Sequence, residues 1–442
     1  MTLGRSADRS LAACLLGTFT LRFSTGLTGA LLVYYLAELP RHGGPTVSPF
    51  VVGVFGALFY AAELVLSPIF GLLSDRLGHH RVMQYGPVFG AAAVLLTFAF
   101  ADLRILGGTR LLEGASTAAS VPSILGFIAM VTAGDELMRG RASARFEAAT
   151  LAGLGLGLVC AGLVYRLIGP AGFLLNALIY GGSFLIFRFG VDEAATDPAV
   201  APTADPARAA GAHIGATGWR RYLAILATSH VWLLAPTWIA VNAALGLWTG
   251  QSIFQLVRRA PPRFADQSLM GGFGPLQISF GVGVALLVFL AGLAYWGERF
   301  KSTRRTTIIF YGIVGGAVLV AAAVVINHGQ DLPVLALAPF VILLAAGLFV
   351  LAGATPAALG LLADLSEGFP ADRGAVMGLY SVFLGVGQIG GNLIGGAAAE
   401  WLGIDGLLVA TLILLGVALL PLWQLRTFEH QLTPNAGAGP SA

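Results

Sequence analysis

The chain has 442 residues, of which 57% are hydrophobic and 11% are charged, and its mean hydropathy is +0.82. Soluble globular domains carry about 25% charged residues, so this composition excludes a water-soluble fold of this size and predicts an integral membrane protein. The net charge is only +3. Basic residues in such a chain set its orientation in the lipid bilayer, and we expect no nucleic-acid partner.

The first apolar stretch, from about residue 11 to residue 39, predicts the first membrane span. It is too long for the apolar core of a secretory signal peptide, and no convincing cleavage site follows it. Cys14 and Cys160 both fall in apolar stretches. We therefore expect neither a structural disulfide nor a metal site at these cysteines.

Twelve apolar windows succeed one another, each long enough for a helix across a hydrocarbon core about 30 Å thick. They lie at about 11–39, 48–73, 82–101, 103–133, 146–168, 171–189, 222–248, 275–296, 306–327, 333–362, 375–401 and 403–425. A stretch rich in Ala, Pro and Asp separates the sixth window from the seventh and predicts a linker. The sequence predicts an all-α membrane protein with 12 transmembrane helices in two six-helix bundles. Its predicted parts are an N-terminal bundle at 1–190, a cytoplasmic linker at 191–220, a C-terminal bundle at 221–426 and a flexible tail at 427–442.

The distribution of basic residues predicts the orientation of these spans. Most of the 25 Lys and Arg residues fall in loops that are cytoplasmic if the N-terminus is inside, which predicts that both termini are cytoplasmic. The loop near 249–274 is an exception, because it places Arg258, Arg259 and Arg263 outside. Either this loop is an external amphipathic segment, which we favour, or the seventh or eighth span is misplaced.

The two halves of the chain resemble each other at a constant offset of 234 residues. Matching positions include Pro122 and Pro356, Arg139 and Arg373, Gly153 and Gly387, and Gly157 and Gly391. Repeated halves are typical of secondary transporters, in which the substrate site lies between the repeats near the middle of the membrane.

The segment GLLSDRLGHHR, from Gly71 to Arg81, lies between the second and third spans. It closely resembles the loop signature of the major facilitator superfamily, Gly-x-x-x-Asp-Arg-x-Gly-Arg-Arg/Lys-Arg/Lys. The matching residues are Gly71, Asp75, Arg76, Gly78 and Arg81, whereas His79 and His80 stand where the family usually has Arg or Lys. The resemblance implies the twelve-helix fold of that family and a transporter that exposes a central site to each side of the membrane in turn. It does not imply an enzyme.

The resemblance also predicts a cytoplasmic latch formed by this loop signature. Asp75 would meet the positive N-terminal end of the eleventh span, which begins near Arg373. Arg76 and Arg81 would pair with acids such as Asp135, Glu136 or Glu147. The alternative is that these two arginines only set the orientation of the protein.

In the fourth span, RLLEGASTAAS resembles the family motif Arg-x-x-Gln-Gly. Arg110 and Gly114 match, and Glu113 replaces the Gln. The family associates this motif with proton coupling, which implies a drug/proton antiporter type. Two departures weaken that assignment. The glycine-rich fifth span lacks the Gly-Pro of the antiporter motif, and the first span carries Arg22 where such exporters often have an acid.

Charged residues in the spans are the candidates for substrate binding and proton coupling. Arg22, Arg110 and Glu113 are expected at similar depth, where a charge facing lipid costs at least about 2.5–3.5 kcal/mol. We predict that they form a charge cluster at a cavity wall, the alternative being a structural ion pair. Glu63 in the second span is a further proton-binding candidate, the alternative being a helix contact. His230 in the seventh span could titrate or simply pack.

Other residues could line a cavity, and these are Asn176, Trp238 and Asn242. No Gly-x-x-x-x-Gly-Lys-Ser/Thr loop is visible, so we expect no ATP drive, and no pattern indicates a cofactor or a metal. We expect a monomeric, proton-driven exporter of small amphiphilic compounds in the inner (plasma) membrane. The alternatives are an uptake symporter or facilitator for an anionic or polar solute, which Arg22 and Arg110 favour, and a transport-inactive receptor or lipid-handling protein.

Overall fold

The computed structural model describes residues 2–132, 136–192, 231–299, 303–367 and 373–432. These residues form helices joined by turns and short loops, so the predicted all-α membrane fold is confirmed. Most of the predicted linker and the end of the predicted tail lie outside the described residues. The chain forms two compact units, which are described separately below.

The first unit comprises the described residues up to 192 together with Ser252–Arg259 and Gly272–Gly283. Within it, α1 packs against α6 and α7, α2 packs against α5, and α4 packs against α5 and α7. Its helices are α1 (Thr2–Ala37), α2 (Pro49–Leu77), α3 (His79–Met83), α4 (Tyr85–Ala99), α5 (Leu103–Val131), α6 (Glu136–Ile168) and α7 (Gly172–Gly190). The largest fully buried side chains of its core include Tyr34, Phe127, Phe173 and Phe187.

The second unit comprises the described residues at 231–251, Ala260–Gly271 and those from Val284 onwards. Its helices are α8 (Val231–Val257), α9 (Pro275–Glu298), α10 (Arg305–Asn327), α11 (Val334–Leu351), α12 (Ala354–Glu367), α13 (Arg373–Leu419) and α14 (Leu422–Leu432), with the end of α8 and the start of α9 assigned to the first unit. Helix α10 packs against α11, α12 and α13. Trp238 and Ile308 lie in its core.

Ten helical segments among the described residues are long and apolar enough to cross a membrane. Two of them, Met138–Gly190 and Ser381–Thr427, have 53 and 47 residues, about twice the length that one crossing needs. The first contains the turn Gly169–Ala171, and the second contains a break at Gly403, whose φ of 64° and ψ of −138° are not helical. Each of these two segments is therefore long enough for two crossings, and the count of twelve spans stays a prediction.

The outer surface of these helices is apolar. Leu178, Phe189 and Phe280 are 74%, 78% and 75% exposed, which would be costly in water but suits contact with lipid. Polar side chains inside the helices bond back to the chain: the hydroxyls of Thr18 and Thr28 donate to carbonyl oxygens four residues earlier, at 2.8 and 2.9 Å. Such bonds satisfy hydroxyl groups where no water is present.

The windows predicted from hydropathy overlap the observed helices, but several helices extend beyond them: α1 begins at Thr2 and α6 at Glu136, nine and ten residues before the predicted starts. Helix α8 extends to Val257, nine residues beyond the predicted end of the seventh span. The loop that follows contains two short 3-10 turns, Pro262–Phe264 and Ser268–Met270. The loop that carries the arginines therefore begins later than predicted.

Candidate functional site

Arg110 and Glu113 form a buried ion pair on α5. The two residues are one helical turn apart, so their side chains share a face of the helix. Arg110 Nη1 donates to Glu113 Oε2, and Arg110 Nε donates to the carbonyl oxygen of Phe55 on α2 at 3.4 Å. The guanidinium carbon lies 4.9 Å from the centre of the Phe59 ring. The two charged side chains are only 11% and 1% exposed, so each charge depends on the other for compensation.

One carboxylate oxygen of Glu113 lies outside the pair with Arg110. Its Oε1 is buried and accepts no hydrogen bond from the described residues. Most buried polar atoms in proteins do have a partner, which sets this oxygen apart from the other polar groups of α5 that bond to the chain. The neighbouring Gly114 lets α2 approach closely, because a Cβ there would lie 2.7 Å from Ala62 Cβ and 3.1 Å from Glu63 N.

Arg22 on α1 has acidic neighbours of its own. It interacts electrostatically with Glu63 on α2 and with Glu147 on α6. Arg22 and Glu63 are partly exposed, and Glu147 is exposed. The structure thus arranges the predicted charges as two neighbouring sets, in which Arg110 pairs with Glu113 while Arg22 lies among Glu63 and Glu147.

Tyr60 on α2 connects these two sets. It interacts electrostatically with Glu63, with Arg110 and with Arg22. We call the group of six residues the ionic cluster, and its members are Arg22, Tyr60, Glu63, Arg110, Glu113 and Glu147. All six belong to the first unit. With every acid ionised, its three carboxylates outnumber its two guanidinium groups.

Sequence reasoning missed the place of Tyr60 and Glu147 in this cluster. A signal for Tyr60 existed, because it lies one helical turn before Glu63 and so shares its face. Glu147 was predicted as a partner for the loop signature instead, and only the packing of α1 against α6 shows that it lies near Arg22.

The three predicted cavity residues lie in helix contacts. Asn176 is fully buried, and its Nδ2 donates to Ser24 O at 3.0 Å and to Thr28 Oγ1 at 2.6 Å on α1. Trp238 is 1% exposed, and Asn242 Nδ2 donates to the carbonyl oxygen of Trp238 within α8 at 2.9 Å. Their contact with a substrate stays a prediction. His230 lies outside the described residues.

The loop signature forms the junction between α2 and α3. Gly78, with a φ of 93° and a ψ of 138°, ends α2 in a conformation that favours glycine, and Gly71 faces Pro122 on α5. Asp75, Arg76 and Arg81 are exposed. Arg373 begins α13, but its side chain lies outside the described part of the chain, as do those of Asp135 and Glu136. The latch therefore stays a prediction.

The two histidines that depart from the family signature have specific packing contacts. His80 is 2% exposed, and its Nε2 lies 3.0 Å from the carbonyl oxygen of Phe187 on α7. His79 Nδ1 lies 3.2 Å from Ser74 Oγ, and its ring packs against Gly126 on α5. Both side chains thus anchor the α2–α3 junction to neighbouring helices of the first unit.

The arginine-bearing loop folds back onto the protein. We call the segment Ala260–Gly271 the docking loop. Arg263 Nη2 donates to Glu400 O at 2.7 Å, Ser268 Oγ donates to Ile326 O at 2.7 Å, and Gln267 Nε2 donates to Leu402 O at 2.9 Å. The loop is therefore fixed to the C-terminal end of α10 and to the break in α13.

Three side chains near the docking loop, Asp266, His328 and Asp405, bring their ligand-type atoms within 4.8 Å of one another. We call them the Asp–His–Asp cluster. No local pattern predicts this cluster, because 77 residues separate His328 from Asp405.

Comparison with known proteins agrees with this architecture. The family model of the Major Facilitator Superfamily matches residues 14–348. The quinolone resistance protein NorA of Staphylococcus aureus (strain MRSA252) is 21% identical over 384 residues, which cover 86% of this chain and 87% of NorA.

Two solved transporters have a similar fold. The nucleoside transporter NupG superposes with a TM-score of 0.66 at 14% identity, over 94% of this chain and 98% of NupG. The human organic anion transporter MFSD10 (TETRAN) superposes with a TM-score of 0.60 at 18% identity, over 95% of this chain and 99% of that one. The predicted family is confirmed by the family model: the chain belongs to the Major Facilitator Superfamily and is a multi-span membrane transporter.

Proposed function

We propose that this transporter exports small amphiphilic organic compounds in exchange for protons. The observation that carries the proposal is the composition of the ionic cluster, in which three carboxylates surround two guanidinium groups within one unit. A site within a membrane-spanning bundle that has an excess of acids gains a proton or a cationic group more readily than it gains an anion.

Glu113 is the residue that we assign to proton binding. Its Oε2 is held by Arg110, and its Oε1 has no donor among the described residues. A proton on Glu113 would neutralise the carboxylate and release Arg110, whereas loss of that proton restores the pair. Such a change alters the charge of the cluster by one unit, which couples the proton to whatever else the cluster binds.

Glu63 is the second proton-binding candidate, because it shares Arg22 with Glu147 and shares Tyr60 with the Arg110 set. Tyr60 links the two sets, so a change of charge at Glu63 is felt at Arg110. We assign Tyr60 the role of positioning these groups.

The surroundings of the cluster favour an amphiphilic substrate. Phe55 and Phe59 on α2 contact Arg110 through a carbonyl oxygen and a ring face, and Phe19 and Phe23 lie on α1 beside Arg22 with their rings 6.4 Å apart. Aromatic side chains beside a few charges suit a ligand with an apolar body and a polar or cationic group. The similarity to NorA, named as a quinolone resistance protein, supports export of drug-like compounds.

The energetic requirement for exchange is a difference in affinity between two states. A proton and a substrate that compete for one carboxylate cannot both be carried at once, so the carrier returns with one after delivering the other. We further propose that the protein works as a monomer in the plasma membrane. The distribution of arginines favours an orientation with both termini in the cytoplasm.

The test is transport by purified protein in liposomes that hold a pH-sensitive dye. A panel of cationic and neutral amphiphiles is added under an imposed pH gradient. The dye then records the proton flux that accompanies the transport of each compound in the opposite direction. We expect substrate-dependent proton flux in wild type and its loss in Glu113→Gln, which cannot exchange a proton. Glu63→Gln should weaken the coupling.

Glu298→Gln provides the matched control, because Glu298 is an exposed acid at the end of α9, outside the cluster. It should transport as wild type does. Substrate movement that is indifferent to the pH gradient, or full proton flux in Glu113→Gln, would remove the antiport proposal.

The two alternatives have less support from the contacts. An uptake carrier for anions would use the two arginines as the anion site, yet Arg110 is paired and Arg22 lies among two acids. A lipid-handling protein would bind lipid headgroups through the arginines near the docking loop. Arg263, however, donates to Glu400 O, and its guanidinium carbon lies 4.6 Å from the centre of the Phe264 ring. Uptake of an anion that is lost in Arg22→Ala would reverse this preference.

A further inference from the structure

The Asp–His–Asp cluster lies where the docking loop meets two helix ends of the second unit. His328 follows α10, Asp266 lies in the docking loop, and Asp405 lies two residues after the break at Gly403. His328 Nδ1 is 3.3 Å from Asp266 Oδ2, and His328 Nε2 is 3.0 Å from Asp405 Oδ2. The imidazole thus joins the loop to the helix break.

Both ring nitrogens of His328 face a carboxylate. A neutral imidazole carries one N–H and can donate to only one of these acids, whereas an imidazolium carries two N–H donors and can donate to both. An ion pair to both acids therefore requires the protonated form of the histidine. Histidine is the residue whose charge ordinarily changes between pH 5 and pH 8.

The Asp405 carboxylate is held in place by hydrogen bonds that do not involve His328. Asn327 Nδ2 donates to Asp405 Oδ1 at 2.9 Å, and Gln267 Nε2 donates to Asp405 Oδ2 at 3.1 Å. Asn327 is fully buried and also accepts from the backbone N–H of Leu269 in the docking loop at 3.2 Å. The more exposed Asp266, at 68% side-chain exposure, is the partner that is free to leave.

The helix break depends on the same loop. Gln267 Oε1 accepts from the backbone N–H of Ile404 at 2.8 Å, and a Cβ at Gly403 would lie 3.2 Å from Gln267 Cδ. The loop residue next to Asp266 therefore occupies the space beside Gly403. A loosened loop would leave the Ile404 N–H without this acceptor.

We propose that the Asp–His–Asp cluster is a pH-sensitive contact between the docking loop and the break in α13. At acidic pH this contact holds the loop in place, and the ion pair between Asp266 and His328 is lost when His328 loses its proton. The orientation predicted from the arginines places the cluster outside the cell, where it would respond to the external pH.

Other charged groups around the cluster are few in the part of the chain that the structure describes. From the docking loop, Asp266 faces the ring, and from α13, Asp405 faces it. Asp331 lies three residues after His328 and is exposed. Arg263 points to Glu400 O and the Phe264 ring instead. The pH response is thus assigned to His328.

Hydrogen–deuterium exchange of the full-length protein in detergent tests the proposal. Deuterium uptake is compared at pH 5.5 and pH 8 for peptides that cover the docking loop and residues 403–405, after correction for the intrinsic effect of pH on exchange. We expect protection to fall about three-fold on going to pH 8, the scale typical of exposed ion pairs. His328→Gln should remove this pH dependence, and Asp266→Asn should reduce it without disturbing the buried Asn327.

Asp331→Asn is the control, since it removes an acid from the same turn but outside these contacts, and it should respond as wild type does. Equal protection at both pH values in wild type would overturn the proposal. So would an unchanged pH response in His328→Gln. Protection that depends on a divalent cation and is lost in EDTA would also overturn it, because the cluster would then bind a metal.

Discussion

Two adjacent glycines of α13 allow a sharp test of how closely the helices of the second unit pack. A Cβ at Gly391 would fall against the backbone of Ala243 on α8, 2.7 Å from its Cα, whereas a Cβ at Gly390 would meet nothing within 4 Å. Both glycines are helical and neither has a positive φ. The same substitution by alanine therefore meets opposite surroundings one residue apart.

The expected energies differ in sign. At Gly390 alanine should stabilise by about 0.4–1 kcal/mol, because it restricts the unfolded chain without a clash. At Gly391 it must displace a backbone, and such overpacking costs about 1–3 kcal/mol. The two variants therefore differ by about 1.4–4 kcal/mol. For a folding unit of 150–250 residues, 1 kcal/mol changes Tm by about 2–4 °C, so Tm of Gly391→Ala should lie about 3–16 °C below that of Gly390→Ala.

The assay is the thermal loss of monodisperse protein in detergent, followed by size-exclusion chromatography. Irreversible unfolding affects both variants in the same way, so their difference is informative even if each Tm is only operational. Gly157→Ala, whose Cβ would lie 2.7 Å from Leu27 N, and Gly181→Ala, which meets nothing within 4 Å, repeat the comparison in the first unit. Equal values of Tm for Gly390→Ala and Gly391→Ala would refute the close approach of α8 and α13.

Two further predictions concern the first unit. Arg110→Ala should destabilise it by about 3–5 kcal/mol, because it leaves the Glu113 carboxylate buried without its cation; Arg110→Ala/Glu113→Ala should unfold at a higher temperature than Arg110→Ala, and a lower one would contradict the pairing. His80→Arg restores the residue type of the family signature, yet it should lower Tm, since a side chain that is 2% exposed and lies 3.0 Å from Phe187 O leaves no room for a guanidinium. A variant as stable as wild type would show that the site can adapt.

Hydropathy was sufficient to predict the membrane helices. The predicted windows at 103–133 and 306–327 correspond to Leu103–Val131 and Arg305–Asn327 in the structure. These predictions succeed because the length of a span is fixed by the thickness of the hydrocarbon core and the rise of the helix. The end of α8 was missed because Gly250–Val257 is less apolar than the window before it, and helix length there follows from packing.

The partners of the charged residues were harder to predict. Arg110 and Glu113 lie one turn apart on one helix, and their pairing follows from helical periodicity alone. Arg22 and Glu63 lie on different helices, so their proximity depends on how α1 and α2 are placed. Asp266, His328 and Asp405 come from three distant segments, and no local pattern in the sequence brings them together.

The glycine contacts show how the two halves have diverged. Gly153 packs against Arg22 on α1, with a Cβ there 3.0 Å from Arg22 Cβ, and its repeat partner Gly387 packs in the same way against Asn242 on α8, at 2.6 Å from Asn242 Cβ. Arg22 and Asn242 are therefore equivalent positions in a duplicated architecture, one cationic and one neutral. An exchange of these two side chains would show whether a charge can be moved from one half of the transporter to the other while the close helix contacts at Gly153 and Gly387 are kept.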